Sequence, residues 1–529
     1  ISLRSVVRFH FPLPLRNNKF NKNPDMIKNY NKIILIFLFS ILFVLITPIV
    51  QSLFYPIELE VRESTLWMHI LTMKAGINIY DSNFVAYANQ AHGPFDPLIK
   101  LFISWVFPFL DPWQVSRSTN FLLFISIFMI NFFKLRNIKS INFIIFLSIL
   151  VYSMIYLLTK NYQGRADVTA MFFLSILLFL CSNRKIYSNN INIILASIIA
   201  SFIILSNWRF FPICLGILFY PLILKNSFFK VFTSSNALIL LKIIIFLLIP
   251  FFLILFFFFD FKLDGYLDYF VRFFYFESFF SLKHFYMGFL HFIRVEKIYF
   301  ISLLLFLINY KIYKEIIENS FNSCIKIIFS LLVFLTCTIS FLYNFSGGGI
   351  YYFTPLVFLF WFLLIDTVKN IKDIDFDVKS ITNISFFLIS FIIVVSAIKS
   401  NILSSVSLYN SKKEAQIVHN YLKELSKNPK TLSESLHFQK NKYTDEIIDI
   451  GDLLSYRSSQ IGGNYEALYK RHLDNLRNQK YDYIIHNYTG SKEIDDLINS
   501  NKYEIIKLFN KNYSNIGDVL ILKKKVLSK

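Results

Sequence analysis

The chain has 529 residues, of which 55% are hydrophobic and 63 are phenylalanine, and its formal net charge is +20. A soluble protein cannot bury that much apolar surface, and only helices or closed barrels satisfy their backbone hydrogen bonds in lipid. The apolar runs are long and continuous rather than alternating, so the composition predicts a helical membrane protein. Much of the basic excess flanks these runs, as the positive-inside rule requires, and nucleic acid is therefore not predicted as a partner.

The basic segments predict the topology of the membrane domain. Residues 1–32 hold seven Lys or Arg side chains against the single acidic residue Asp25, which places this segment in the cytoplasm. The apolar piece 98–110 is too short to span a bilayer and is predicted to lie in the interface. With that piece outside the membrane, the later basic turns all face the cytoplasm. The predicted spans lie at 33–53, 113–133, 141–158, 167–182, 190–207, 209–224, 239–259, 298–310, 326–343, 350–367 and 382–400.

The predicted fold class is therefore an all-α polytopic membrane domain over residues 33–400, with about 11 transmembrane helices, and a small C-terminal extracytoplasmic domain over residues 401–529. The C-terminal part is more polar and mixes helical periodicity with short β-branched and aromatic runs, which is typical of an α/β or α+β domain. Its predicted helices lie near 411–426 and 463–478, and its predicted strands near 481–486, 503–509 and 519–523.

All four cysteines, Cys181, Cys214, Cys324 and Cys337, lie in or beside apolar runs. None has zinc-type spacing or a partner in an exterior loop, so neither a disulfide nor a metal site is predicted, and a need for a divalent metal stays open. This cysteine usage, together with the frequent Asn, Lys and Ile, favours a bacterial inner membrane.

Three carboxylates follow the first predicted span in the outer loop 54–112, namely Glu58, Glu60 and Glu63. Ionisable groups beside the hydrocarbon are costly, which makes them candidates for a functional site. A low dielectric raises the proton affinity of such a carboxylate, so it can act as a general base towards an acceptor hydroxyl. The alternative is that these are interface charges that pair with Arg62 or with lysines.

The same loop carries polar and aromatic side chains among Gly and Pro turns, including Tyr80, His92 and Asp96. Pro94 and Pro97 stiffen the approach to the interfacial piece. The functional interpretation is a rigid loop that presents Tyr80, His92 and Asp96 to a sugar above the bilayer. The alternative is a plain structural turn.

The loop resembles the opening pattern of the GT-C superfamily of glycosyltransferases, and more narrowly of its protein mannosyltransferases and aminoarabinose transferases. The shared elements are an acidic residue after the first span, Gly76-x-x-x-Tyr80, a Pro-containing step at Gly93-Pro94, and Arg117 in the second span. The resemblance implies that an acidic residue of the first outer loop is the catalytic base. It also implies that the donor is a polyprenyl-phosphate sugar.

By its spacing to Gly76, Glu63 falls where the resemblance implies a catalytic carboxylate, and Glu60 and Glu58 remain as alternatives. The chain differs from the family in one respect that bears on this assignment. The family has an Asp-Glu pair at this position, whereas here Arg62 stands beside Glu63.

Basic and glycine residues of later segments are predicted to hold the donor phosphate. Arg165, in an Arg-x-Asp element that the resemblance places at the outer cavity, can bind phosphate oxygens in two-pronged fashion, and Lys160 or Arg209 could supply the same charge. Gly348 lies in a run of three glycines whose backbone amides suit an anion. The alternatives are an Arg165–Asp167 contact, an aromatic-belt anchor near Arg209, and a flexible turn at the glycines.

These observations predict a membrane glycosyltransferase, inverting at the sugar, that acts at the outer face. Its predicted partners are a polyprenyl-phosphate sugar donor, a glycan, lipid or protein acceptor, and membrane lipid. A polysaccharide polymerase or ligase and a transporter of lipid-linked glycan remain as alternatives, as does a non-catalytic scaffold.

Overall fold

The computed structural model of the chain divides into two units, Ile1–Phe43 and Val44–Lys529, and every element named below belongs to the second. The predicted spans 141–158, 298–310, 326–343 and 350–367 lie outside the described residues. The structure describes residues 40, 43–44, 46–57, 59, 63–80, 93–135, 165–181, 189–207, 210–211, 213–218, 234–262, 381–425, 427–428, 430–434, 447–448, 464–487, 492–509 and 519–525.

The regular elements described up to residue 262 are all helices. Prolines mark two helix starts, since Pro94 precedes one helix and Pro112 opens another, where the missing amide is not needed. The side chain of Asn189 caps a third by accepting a hydrogen bond from the Ile191 amide at 2.9 Å. The helices are α1 (Glu63–Lys74), α2 (Phe95–Val106), α3 (Pro112–Leu135), α4 (Asp167–Cys181), α5 (Asn190–Ser206) and α6 (Ser234–Phe259).

Four of these helices lie where spans are predicted, since α3, α4, α5 and α6 overlap the predicted second, fourth, fifth and seventh spans. Among the described residues, one helix, Asn236–Phe259, is long and apolar enough to cross a bilayer. Two shorter apolar helices, Asp167–Cys181 and Asn190–Ser206, accompany it. The topology with about 11 spans stays a prediction.

The described part of the outer loop 54–112 contains two helices, α1 and α2. Helix α2 covers most of the piece predicted to lie in the interface, and it is amphipathic. Its buried face holds Asp96, Pro97, Lys100, Leu101 and Ser104. Its other face and the following turn expose Phe102, Trp105, Val106, Phe107 and Phe109. A helix with aromatic side chains on its outer face suits a position at the membrane surface.

Helix α7 (Ile381–Leu425) is a single helix of 45 residues. The sequence predicts a span at 382–400 and a separate helix at 411–426. The predicted break between these two segments is wrong, because one continuous helix covers both. The physical reason is that residues 401–410 are more polar than the span before them but contain neither Gly nor Pro. The surroundings that suit the helix therefore change from lipid to water, while the helix itself continues. At a rise of 1.5 Å per residue, α7 is about 67 Å long.

The C-terminal part contains a five-stranded mixed sheet with strand order β2-β1-β3-β5-β4. Strand β1 runs parallel to β2 and β3, whereas β5 runs antiparallel to β3 and β4. The predicted strands at 481–486, 503–509 and 519–523 overlap β3, β4 and β5, and the predicted helix at 463–478 overlaps α8. The elements are β1 (Thr431–Glu434), β2 (Ile447–Ile448), α8 (Asn464–Arg477), β3 (Tyr483–Asn487), α9 (Lys492–Asn499), β4 (Tyr503–Phe509) and β5 (Val519–Lys524).

Candidate active site

Glu63, the first candidate for a catalytic base, opens α1, and its side chain is fully buried. Arg117 of α3 binds its carboxylate with two parallel hydrogen bonds. Nε donates to Oε1 at 2.6 Å, and Nη2 donates to Oε2 at 2.8 Å. The backbone amide of Leu59 donates to the same Oε2 at 2.9 Å. Glu63 is thus half of a buried, two-pronged ion pair, and the partner is Arg117 of the next helix but one.

The same guanidinium also fixes the backbone that precedes α1. Nη1 donates to two carbonyl oxygens at 2.8 and 2.5 Å, and Nη2 donates to a third at 2.7 Å. The guanidinium carbon lies 5.6 Å from the ring centroid of Trp67 and 5.2 Å from that of Trp113. Cation–π contact and the planar fork together hold Arg117 in one orientation. The three carbonyls belong to Ser52, Tyr55 and Ile57.

This geometry bears on the choice of base among the three carboxylates. Both oxygens of Glu63 accept hydrogen bonds, and a proton taken from an acceptor hydroxyl would neutralise the carboxylate and leave the buried guanidinium of Arg117 without its counter-ion. Glu58 and Glu60 lie outside the described residues. The assignment of the base to Glu63 stays a prediction, and the geometry favours a structural contribution from this side chain.

A second ion pair lies on the buried face of α2. Lys100 Nζ donates to Asp96 Oδ2 at 2.8 Å, and both side chains are about 1% exposed. The hydroxyl of Thr169 in α4 donates to the other carboxylate oxygen, Oδ1, at 2.6 Å. Asp96, which the sequence nominates as a substrate contact, therefore joins the interfacial helix to α4. Burying both ions is costly, and the pair persists because each partner compensates the other.

A third ion pair lies at the start of α4, and a hydrogen bond connects it to the end of α5. Arg165 Nε donates to Asp167 Oδ2 at 3.2 Å, which is the contact that the sequence left open as the alternative to phosphate binding. Asn207 Nδ2 donates to Asp167 Oδ1 at 2.9 Å. Asn120 Nδ2 of α3 donates to the carbonyl of Arg165 at 3.0 Å. All four residues are buried, so the element 165–167 forms the centre of a polar connection among three helices.

Three buried polar atoms beside these pairs have no hydrogen-bond partner within the described part of the chain. They are Oδ1 of Asn120 and the indole nitrogens of Trp67 and Trp113. Asn120 lies one turn after Arg117 on α3, and the two indole rings flank the guanidinium. Buried polar groups are nearly always satisfied in folded proteins, so these atoms are suited to water or to a polar ligand.

Gly93 fixes the approach of the loop to α5. Its amide donates to the carbonyl of Ser206 at 3.2 Å, and a Cβ at this position would lie 1.9 Å from the carbonyl oxygen of Leu205. Any side chain therefore requires the backbone of the helix end or of the loop to move. This close approach explains why the step before α2 reads Gly93-Pro94.

We expect Gly93→Asn to lower the free energy of unfolding by about 2 kcal/mol or more, because the new side chain overpacks a backbone contact. The matched control is Gly76→Asn. Gly76 has a φ of 74° and no atom within 4 Å of its Cβ position, and Asn tolerates that conformation. Its expected cost is below about 1 kcal/mol. Thermal unfolding of the purified protein in detergent measures both, and equal midpoints would contradict the steric argument.

The remaining predicted site residues fall into two groups. Tyr80 is fully buried and packs on Phe259 of α6, with ring centroids 5.2 Å apart, so it lies in a hydrophobic cluster. Its amide donates to Asn78 Oδ1 at 2.8 Å. Tyr80 is therefore placed as a core residue. The positions His92, Lys160, Arg209 and Gly348 lie outside the described residues.

Sequence reasoning missed several members of the polar network. Lys100 and Asp96 are four residues apart on a helix, so their pairing could have been read from the spacing. Thr169, Asn120 and Asn207 carry no comparable signal, because their partners lie 73, 45 and 40 residues away in sequence. A polar side chain inside an apolar run is the general indication that could have drawn attention to them.

Within the described ranges, no group of three or more His, Cys, Asp and Glu side chains is placed to hold a metal ion. No protein-family model matches the chain, and no curated protein or solved structure is significantly similar to it.

Proposed function

We propose that the chain is a membrane glycosyltransferase that moves a sugar from a polyprenyl-phosphate donor to a hydroxyl acceptor at the outer face of the membrane. The observation that carries the proposal is the set of three buried ion pairs, which lie on or between the helices α1 to α5. Buried ionisable groups among apolar helices are expensive to keep, and their retention favours a functional site. The orphaned polar atoms beside the network support a site that takes a polar ligand.

In the proposed reaction the acceptor oxygen attacks the anomeric carbon from the face opposite the phosphate. The new glycosidic bond forms as the bond between carbon and phosphate oxygen breaks, and polyprenyl phosphate leaves with both electrons of that bond. A first-loop carboxylate takes the proton of the acceptor hydroxyl. Since protonation of Glu63 would break its buried ion pair with Arg117, we assign this proton to Glu60 or Glu58 and assign to Glu63 the task of holding their loop.

The charge of the donor phosphate requires a cation, and the three described cations of the network each have a carboxylate partner. Binding of the phosphate therefore includes an exchange of partners. Arg165 is the candidate, because its contact to Asp167 is the longest of the three at 3.2 Å, compared with 2.6 and 2.8 Å. Asp167 keeps the amide of Asn207 as a donor when Arg165 turns to phosphate. The apolar chain of the donor lies among the exposed apolar faces of the helices.

The experiment is transfer of labelled sugar in membranes from a panel of polyprenyl-phosphate hexose and pentose donors. We expect Glu58→Gln or Glu60→Gln to lower transfer by about 10²- to 10⁴-fold, the usual contribution of a general base. Glu63→Gln is expected to lower the amount of folded protein instead, because it weakens the pair with Arg117. Full transfer in all three variants would contradict the proposal. Movement of the lipid-linked sugar across the membrane without transfer would favour a transporter.

A further inference from the structure

We propose that α7 is a positioning element for the first outer loop, so that the C-terminal sheet and the segment carrying the candidate base are mechanically coupled. This inference rests on the proposed function, because it assigns α7 a consequence for sugar transfer. It concerns residues that lie more than three hundred positions from the loop in sequence. Their contacts to the loop are hydrogen bonds and an apolar cluster.

Two hydrogen bonds tie α7 to the start of the loop and to the end of the span before it. Tyr55 Oη lies 2.8 Å from Ser411 Oγ, and Ser405 Oγ donates to Gln51 Oε1 at 2.7 Å. Ser411 Oγ donates its own proton to the carbonyl of Ser407 at 2.8 Å, so Tyr55 is the donor in the first bond. Burial raises the pKa of the Tyr55 phenol, which keeps this donor protonated.

An apolar cluster strengthens the same contact. Tyr55, Ile57 and Leu59 are buried against Leu408 and Ala415 of α7. The candidate bases at positions 58 and 60 alternate in sequence with these buried residues. Ile57 and Leu59 are therefore the described neighbours through which α7 can act on these candidates.

The segment is held from two directions. On one side Arg117 binds the carbonyls of Tyr55 and Ile57, and Glu63 accepts from the amide of Leu59. On the other side the side chains of the same three loop residues contact α7. The ion pair therefore fixes the backbone while α7 fixes the side chains, and removal of either leaves the segment with one support.

The next turn of α7 packs on the sheet. Val418 and Leu422 form a core with residues of β3, β4 and β5. Ala415, which contacts the loop, and Val418, which contacts the sheet, are three residues apart, a rise of about 4.5 Å. A shift of the sheet domain therefore moves the loop contact with it, because the helix between them is uninterrupted. The sheet residues of this core are Ile485, Phe509, Val519 and Ile521.

The first test separates positioning from stability by kinetics. We expect Tyr55→Phe and Ser411→Ala each to lower kcat about tenfold with the KM for donor unchanged, because a small misplacement of a catalytic group slows chemistry without changing binding. The double variant is expected to be no slower than either single variant, since both remove one bond. The matched control Tyr409→Phe removes the same hydroxyl from an exposed position of α7 and is expected to keep the wild-type kcat.

The second test needs no enzymatic activity. Ile57 is about 1% exposed, so Ile57→Cys is expected to react slowly with a membrane-impermeant maleimide. Adding Tyr55→Phe or Ser411→Ala is expected to raise the labelling rate several-fold, and adding Tyr409→Phe to leave it unchanged. The chain with only its native cysteines supplies the background.

Absence of transfer in the wild type would overturn the proposed function, whereas the labelling rates would still test the coupling. If Ile57→Cys is labelled at the same rate alone and with Tyr55→Phe, Ser411→Ala or Tyr409→Phe, the coupling itself is overturned. A faster labelling rate with an unchanged kcat would also overturn the inference, because α7 would then hold the loop without positioning its carboxylates. A fall in kcat that Tyr409→Phe shares would do the same.

Discussion

Arg117→Met is expected to lower the free energy of unfolding of the helical part of the protein by more than any surface replacement does. The variant leaves the carboxylate of Glu63 buried without its cation and removes the donors to three backbone carbonyls. Loss of one partner from a buried pair costs about 3–5 kcal/mol, most of it from the charge that stays behind. Arg117→Lys is expected to recover little of this, because an ammonium cannot reproduce the planar fork or its contact with two indole rings.

The matched control is Arg477→Met on α8. Arg477 lies 3.9 Å from Asp474, and both side chains are more than half exposed, so the expected change is within about 0.5 kcal/mol. The midpoint of thermal unfolding in detergent, read from helical circular dichroism, compares the two variants. If the Arg117→Met and Arg477→Met proteins have the same unfolding midpoint, the buried ion pair does not hold the loop. Glu63→Met in the Arg117→Met background is expected to restore part of the loss, because no charge is then left buried.

The sequence was most informative where local pattern and local structure coincide. The strands β4, Tyr503–Phe509, and β5, Val519–Lys524, consist mostly of aliphatic and aromatic residues, and they pair antiparallel with each other. The strands β1 and β2 were not predicted, because Thr-Leu-Ser-Glu and Ile-Ile are too short to show a period. Their parallel pairing also depends on distant contacts.

The ends of α7 illustrate a second limit of the sequence. The change from apolar to more polar composition near residue 401 predicts a boundary between two helices. Composition reports which solvent a helix faces, whereas Gly, Pro and capping residues report where it ends. Residues 381–425 contain neither Gly nor Pro, and the chain stays helical throughout. The residue at which a helix leaves the lipid is therefore a different feature from the residue at which the helix ends.

The candidate site shows the same division. The pairing of Asp96 with Lys100 follows from helical spacing, whereas Glu63 and Arg117 are 54 residues apart and meet only because α1 packs on α3. The position after the first span nominates three carboxylates, and the spacing to Gly76 puts Glu63 first among them. The sequence could not indicate that both carboxylate oxygens are occupied, because that depends on tertiary packing. Our proposal of Glu58 or Glu60 as the base starts from this buried ion pair.

Lys100→Met is the second replacement with a large expected effect, and it separates stability from function. It leaves Asp96 buried with Thr169 as the remaining donor in the described network, and the expected loss is again about 3–5 kcal/mol. In the double variant Asp96→Leu/Lys100→Met both charges are absent and apolar side chains of similar volume fill the space. Such replacements are often neutral or stabilising, so we expect the double variant to unfold near the wild-type midpoint.

Lys427→Met is the control for the single variant, because Lys427 pairs with Glu424 at the surface and its loss should cost less than about 1 kcal/mol. If the pair of α2 serves only the fold, the stable double variant keeps wild-type sugar transfer. We expect it to have lost most transfer, because a functional network keeps its expensive charges for interactions with a polar substrate, which Leu and Met cannot make. If the double variant is stable and keeps full transfer, Asp96 and Lys100 do not belong to the site. The proposed site would then rest on the ion pairs of Arg117 and Arg165.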